Sequence, residues 1–155
     1  MKRGRKILVL VGLKGSGKTE ICRFLSGMKW PTVEVGGDTA MRIRNLLAAG
    51  QRRIAVDGVE SLGEWKRIKA EFPEDVLTVG MVAPKEVRRK RVQQARGYDK
   101  AVNMLKTEEI IESEKVELER GVGDILASAD EYIVNDGSID EMIKKAGKII
   151  SKYCE

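Results

Sequence analysis

Apolar positions along this chain follow two rhythms that alternate from end to end. Ile7-Leu8-Val9-Leu10-Val11 is an unbroken apolar run between charged residues and glycine, and it predicts a short strand buried on both faces. Glu20 to Met28 then sets Ile21, Leu25 and Met28 at helical spacing. Thr32-Val33-Glu34-Val35, set off by Pro31 and by Gly36-Gly37, predicts a second strand. Thr39 to Ala49 reads as a helix through Met41, Ile43, Leu46 and Leu47, with Gly50 as its stop. Ile54-Ala55-Val56 is a third strand running into Asp57-Gly58, and Gly63 to Phe72 a helix with Trp65, Ile68 and Phe72 inward, closed by Pro73. Val76 to Val82 is a fourth strand. Pro84 opens a very basic helix to about Arg96, since proline suits a first helical turn. Glu108 to Arg120 is polar and helical, and Tyr132-Ile133-Val134 is a fifth strand. The last helix carries Ile139, Met142, Ile143, Ala146, Ile149, Ile150 and Tyr153 on one face and Lys144, Lys145, Lys148 and Lys152 on the other.

Strands separated by helices predict an α/β fold, a parallel sheet with helices on both faces. Ligands in such folds sit at the carboxyl ends of the strands. The loops Gly12–Thr19, Asp57–Ser61 and Asn135–Ser138 all fall there.

The first of these loops changes the picture most. Gly12 to Thr19 reads G-L-K-G-S-G-K-T, a full match to the Walker A pattern between a predicted strand and a predicted helix. Gly12, Gly15 and Gly17 let the backbone turn so that the amides of the loop, Lys14 and Ser16 included, face inward as an anion nest. The following helix adds unpaired N–H groups and the positive end of its dipole. Lys18 would reach the β- and γ-phosphates, the Thr19 hydroxyl would take one Mg²⁺ position, and Lys14 adds a second cation. The expected ligands are therefore ATP and Mg²⁺.

Composition narrows the setting. The 155 residues fit a single domain, with 42% hydrophobic residues and a net charge of +5 that suits an anionic ligand. No apolar run approaches a membrane span, and the basic Met1–Lys6 stretch leads into a strand rather than a signal peptide, so a cytoplasmic protein is expected. No histidine and two distant cysteines, Cys22 and Cys154, argue against zinc, and Cys22 reads as a small buried thiol.

The chain lacks the N/T-K-x-D base-reading motif of GTPases and the L-S-G-G of transporter ATPases. A Walker loop at the start of a short α/β chain, with a charged segment late on, is instead the layout of small-molecule and nucleotide kinases. Ala129 to Ser138, followed by an amphipathic helix, resembles the carboxyl-terminal signature of dephospho-coenzyme A kinases, and more closely that of the related archaeal adenylate-kinase-like family. Ile54 to Gly58, the basic helix Pro84 to Gly97, and Gly121-Val122-Gly123 before the final strand resemble further segments of that family. The resemblance implies a three-layer P-loop NTPase fold with sheet order 2-3-1-4-5. It also implies one kinase-like domain over 1–155; against the family pattern the acceptor region is reduced, to about 32–52, and the lid is short, at about 91–107.

Carried over by position, Asp57 would help hold Mg²⁺, or else be only a turn-forming Asp-Gly. Arg91 and Arg96 would be lid arginines neutralising the transferring phosphoryl group, although most of Lys85, Arg88, Arg89, Lys90 and Arg91 must simply be solvated. The loop from Asn135 to Gly137 would pass the adenine.

The chain departs from the family pattern in two charged positions. The family's Asp-Gly-x-Arg is here Asp57-Gly58-Val59-Glu60, which reverses a charge. The family's late Arg-Asp pair falls on Ser113-Glu114. Two functions stay open. One is a kinase passing the ATP γ-phosphate to a small, nucleotide-like acceptor other than AMP. There Asp38 would be general base or acceptor contact, unless it is only a helix N-cap, and Arg42 and Arg44 would replace the lost arginines. The other is a degenerate nucleotide-binding regulator or slow ATPase. Nucleic acid is not the expected partner: the basic helix has no accompanying RNA or DNA module and few aromatics for stacking.

Overall fold

The structure is a computed structural model. It describes residues 4–95 and 100–154, and for 95 and 100–107 the backbone alone. In chain order the elements are β1 (Lys6–Val11), α1 (Lys18–Gly27), β2 (Thr32–Glu34), α2 (Thr39–Ala48), β3 (Arg53–Asp57), α3 (Leu62–Glu71), β4 (Val76–Val82), α4 (Lys85–Ala95), α5 (Lys100–Glu119), α6 (Val122–Ala127), β5 (Glu131–Val134) and α7 (Ile139–Cys154).

The five strands form one parallel sheet in the order β2-β3-β1-β4-β5. This is the expected architecture and order. β1 is central, in register with β3 through Val9↔Val56 and with β4 through Val9↔Thr78. The loop after β1 therefore leaves the middle of the sheet, flanked by the chain leaving β3 on one side and β4 and β5 on the other.

Successive β1 side chains enter opposite layers. Leu8 and Leu10 pack with Ile21 and Leu25 of α1 and Met142, Ala146 and Ile150 of α7. Ile7, Val9 and Val11 pack with Ile43 of α2, Trp65 and Ile68 of α3, and Val122 and Ile125 of α6. Both faces of the sheet are thus covered, which is why its strands read as apolar runs without alternation. The Trp65 indole N–H, which enters this layer, is paired: it donates to Thr78 Oγ1 at 2.9 Å.

Three local expectations change. α5 begins at Lys100 instead of Glu108. The stretch after Gly121, read only as a glycine pair before the final strand, holds a helix, α6; six residues were too few to show a period. Ile139, placed by its spacing on the apolar face of α7, is 56% exposed. It is the first residue of that helix and lines the cleft above the loop that follows β1.

Among the described residues, no helix is long and apolar enough to cross a membrane.

Candidate functional site

A cleft of about 770 Å³ opens where the loop leaves β1, and the loop residues Lys14 to Thr19 form its floor. Gly15 and Gly17 sit at φ +84° and +102°, torsions that side chains rarely adopt. A Cβ on Gly15 would also lie 2.5 Å from the Arg88 carbonyl oxygen, and one on Gly17 2.2 Å from Asn135 Nδ2. Glycine is thus required both by the turn and by the close approach of α4 and of the β5 end.

Gly17 is the N-cap of α1, and no side chain caps that helix. Its first-turn amides face the cleft without a protein acceptor of the usual kind, which makes an anion-binding end. Lys18, in the first turn, folds back so that Nζ donates to the Gly12 carbonyl oxygen at 2.6 Å. The ammonium is held above the loop rather than extended into solvent.

Residues far apart in sequence lock the loop in place. Asn135 is buried; its backbone N–H donates to Val82 O at 2.7 Å and its side-chain amide to Ser16 O at 3.0 Å. Arg91 of α4 donates to Gly15 O at 3.2 Å and to Asn135 O at 3.0 Å. One guanidinium therefore spans the phosphate loop and the end of β5 with its charge in the cleft.

The expectation that most cations of α4 are solvated gives way here. Glu114 of α5 is buried and pairs with Arg89 at 3.1 Å and Arg88 at 3.6 Å, and Arg88 also donates to Ala83 O. Arg88, Arg89 and Arg91 are all tied inward, while Lys85 and Lys90 remain exposed. Glu114 is thus the fastening of α4 to α5.

Asp57, at the end of β3, accepts a hydrogen bond from the Cys22 thiol, one turn past Thr19 on α1. Burial, then the Asp57 charge and this hydrogen bond, push that thiol up to about 12. Thr19, the second residue of α1, lines the cleft, whereas Asp57 is not among the cleft's lining residues. Gly137 lines the same cleft. Asp38 lies elsewhere. It is exposed, pairs with Arg42 at 3.0 Å, and lines a second pocket of about 260 Å³ that also includes Arg44 and Arg67. It occupies the N-cap position of α2 without a capping side-chain bond. Arg96 lies outside the described residues.

Sequence reasoning missed two groups, one on α5 and one just past its end. Glu117 Oε1 accepts the Lys14 backbone N–H at 3.2 Å, taking a loop amide that an anion would otherwise meet. Burial holds its carboxyl above the usual range, against the opposing pull of the Lys14 amide and the Lys18 charge. Arg120 pairs with Glu60 at 3.4 Å, and both line the cleft. The backbone there is fixed by Leu62 N–H donating to Arg120 O at 3.0 Å. Ser113, Glu117 and Arg120 fall on one face at helical spacing. That was visible in the sequence, but nothing there aimed the face at the loop.

No protein-family model matches the chain. It is similar to a UPF0200 protein of Thermococcus gammatolerans, 26% identical with 94% of each chain covered. Among solved structures it resembles TT1252 from Thermus thermophilus, with a TM-score of 0.65 and 17% identity over 97% of this chain and 98% of that one. It also resembles a gluconokinase from Sinorhizobium meliloti 1021, with a TM-score of 0.63 and 12% identity over 99% of this chain and 95% of that one. Loop, sheet order and these likenesses agree: the fold is that of the P-loop kinases.

Proposed function

We propose that the chain binds ATP with Mg²⁺ at Gly12–Thr19 and transfers the γ-phosphoryl group to a small acceptor. The observation that carries this reading is the convergence on one cleft of an uncapped helix N-terminus, the Lys18 ammonium and the Arg91 guanidinium. Phosphoryl transfer depends chiefly on positioning and charge neutralisation, and those are the groups it requires. The loop amides and Lys18 would hold the phosphates, and Arg91 would neutralise charge as it moves between oxygens. Asn135 would keep the loop in shape while the backbone to Gly137 passes the base. The Thr19 hydroxyl and the Asp57 carboxylate fit a hard, oxygen-preferring cation beside the phosphates. Mg²⁺ bound there supplies charge neutralisation at the phosphate oxygens. UPF0200 relatives carry no activity in their name, so the kinase reading rests on this site and on the fold.

A second reading, a regulator that holds nucleotide or hydrolyses it slowly, is favoured by one observation: Glu117 occupies the Lys14 amide. Turnover of γ-labelled ATP with and without acceptors separates the two. The kinase reading expects acceptor-dependent transfer above a Lys18→Ala control; tight ATP binding with no such transfer favours the regulator.

A further inference from the structure

The cleft has two ends, and sheet order separates them. Asn135 follows β5, while Glu60 follows β3 on the opposite side of β1. With the nucleoside on the Asn135–Gly137 side, the acceptor must enter from the side of Glu60, of Ser113 and Glu117 on α5, and of Arg120 just past its end. The charges at that end are unusual for an anionic acceptor. Arg120 is already matched by Glu60 at 3.4 Å, which leaves Glu117 as surplus negative charge. Lys14 of the loop, Lys18 of α1 and Arg91 of α4 line the cleft and would serve the phosphates of the donor. An incoming phosphate would meet two carboxylates and one engaged arginine. A hydroxyl compound meets carboxylates that accept its O–H groups, together with the Ser113 hydroxyl.

Glu117 has a further property. It is 9% exposed and sits against the Lys14 amide, at the leading edge of the loop that would hold the transferring phosphoryl group. The charged and titratable groups around it are Lys14 from the loop, Lys18 and Glu20 from α1, Glu60 from the chain after β3, Arg91 from α4 and Arg120 just past the end of α5. Burial is the largest influence on its carboxyl and makes it a stronger proton acceptor than an exposed glutamate. A glutamine would accept the Lys14 N–H equally well without the cost of a buried charge.

Building on the kinase reading, we propose that Ser113, Glu117, Arg120 and Glu60 form the acceptor subsite, that it takes a polyhydroxyl compound without a phosphate, of the sugar or nucleoside kind, and that Glu117 takes the proton of the attacking hydroxyl. In the step, the acceptor oxygen forms a bond to the γ-phosphorus. The bond from that phosphorus to the bridging oxygen breaks, its electron pair leaves with ADP, and the hydroxyl proton ends on a Glu117 carboxylate oxygen.

The test is turnover of γ-labelled ATP by the full chain, wild type against Glu117→Gln and Glu117→Asp. The acceptors are water, ribose, glucose, adenosine, cytidine, AMP and CMP, and ATP affinity and melting temperature are measured in parallel. Transfer to at least one unphosphorylated compound is expected to exceed transfer to AMP and CMP by about tenfold or more. Glu117→Gln is expected to lower kcat by about 100-fold with the KM for ATP unchanged, and to remove the acid limb of the pH profile, with Glu117→Asp between the two. Preference for AMP or CMP overturns the acceptor class. Equal kcat in Glu117→Gln, or tighter ATP binding at unchanged kcat, overturns the proton role and makes the carboxylate a plug on the loop. Wild-type chain that binds ATP but turns none over with any acceptor, water included, overturns this inference and leaves nucleotide binding standing. Chain that binds no ATP overturns the kinase reading itself.

Discussion

The side-chain amide of Asn135 donates to the carbonyl oxygen of Ser16 at 3.0 Å, so the end of the last strand holds the phosphate loop across 119 positions of sequence. Both residues are buried, and Asn135 fills the space that a Cβ on Gly17 would need. The loop's shape therefore depends on β5 being docked at the sheet edge. Asn135→Ala removes a buried hydrogen bond and opens that space. It is expected to cost about 1–3 kcal/mol in urea unfolding and to weaken ATP binding together with stability.

Glu114 performs the matching task between α4 and α5. It is buried, accepts a hydrogen bond from Arg89 and forms an ion pair with Arg88, and removing it leaves two partly buried guanidinium groups without their carboxylate. Glu114→Ala is expected to destabilise the chain by about 2–4 kcal/mol, read from the urea midpoint, a range lowered slightly because both arginines keep some contact with water. An exposed pair such as Arg23–Glu20 is expected to change stability by less than about 0.5 kcal/mol when broken.

Much of this fold was legible because its signals are local. The apolar run of β1, the Walker loop and the 3.6-residue period of α7 each declare their type within one element. What was not legible depends on where elements meet. Nothing in the run Lys85–Arg91 distinguishes cations tied to Glu114, Gly15 and Asn135 from cations facing water, because each partner comes from another segment. Glu117 looked like any residue of a polar helix until α5 was placed over the loop. The short α6 hid behind its glycines, and Ile139 kept the apolar period of α7 while lying beyond the core that the period normally marks.

Cys22 reports on Asp57. With Cys154 replaced by serine to leave one thiol, native Cys22 is expected to react with a maleimide-type probe at pH 8 roughly a hundred- to a thousandfold more slowly than an unperturbed thiol. The reason is that its thiolate is so rarely populated. Asp57→Asn removes the neighbouring charge and should speed the reaction. It should not restore it fully, since burial is the larger cause. A rate unaffected by Asp57→Asn would separate the two residues and weaken the case for Asp57 at the cation position.

Glu117 also sets a pH dependence of stability. Its carboxyl is raised in the folded chain, so the fold favours the protonated form. The resulting penalty is fully present above the folded value and is relieved as pH falls toward the ordinary carboxylate range. Glu117→Gln is accordingly expected to raise the melting temperature at pH 7, with the advantage shrinking as the pH is lowered to about 4. An advantage that grows on acidification would reverse the assigned direction.

Whether Gly12–Thr19 holds a nucleoside triphosphate is read most plainly by calorimetric titration of ATP with Mg²⁺ into the wild-type chain and into Lys18→Ala. One saturable site is expected in the wild type. In Lys18→Ala the affinity should fall by about 10- to 100-fold, the worth of one charge-assisted contact to phosphate, without loss of fold. Equal affinity in the two proteins, or no heat of binding in either, would remove the loop from the function and with it the kinase reading.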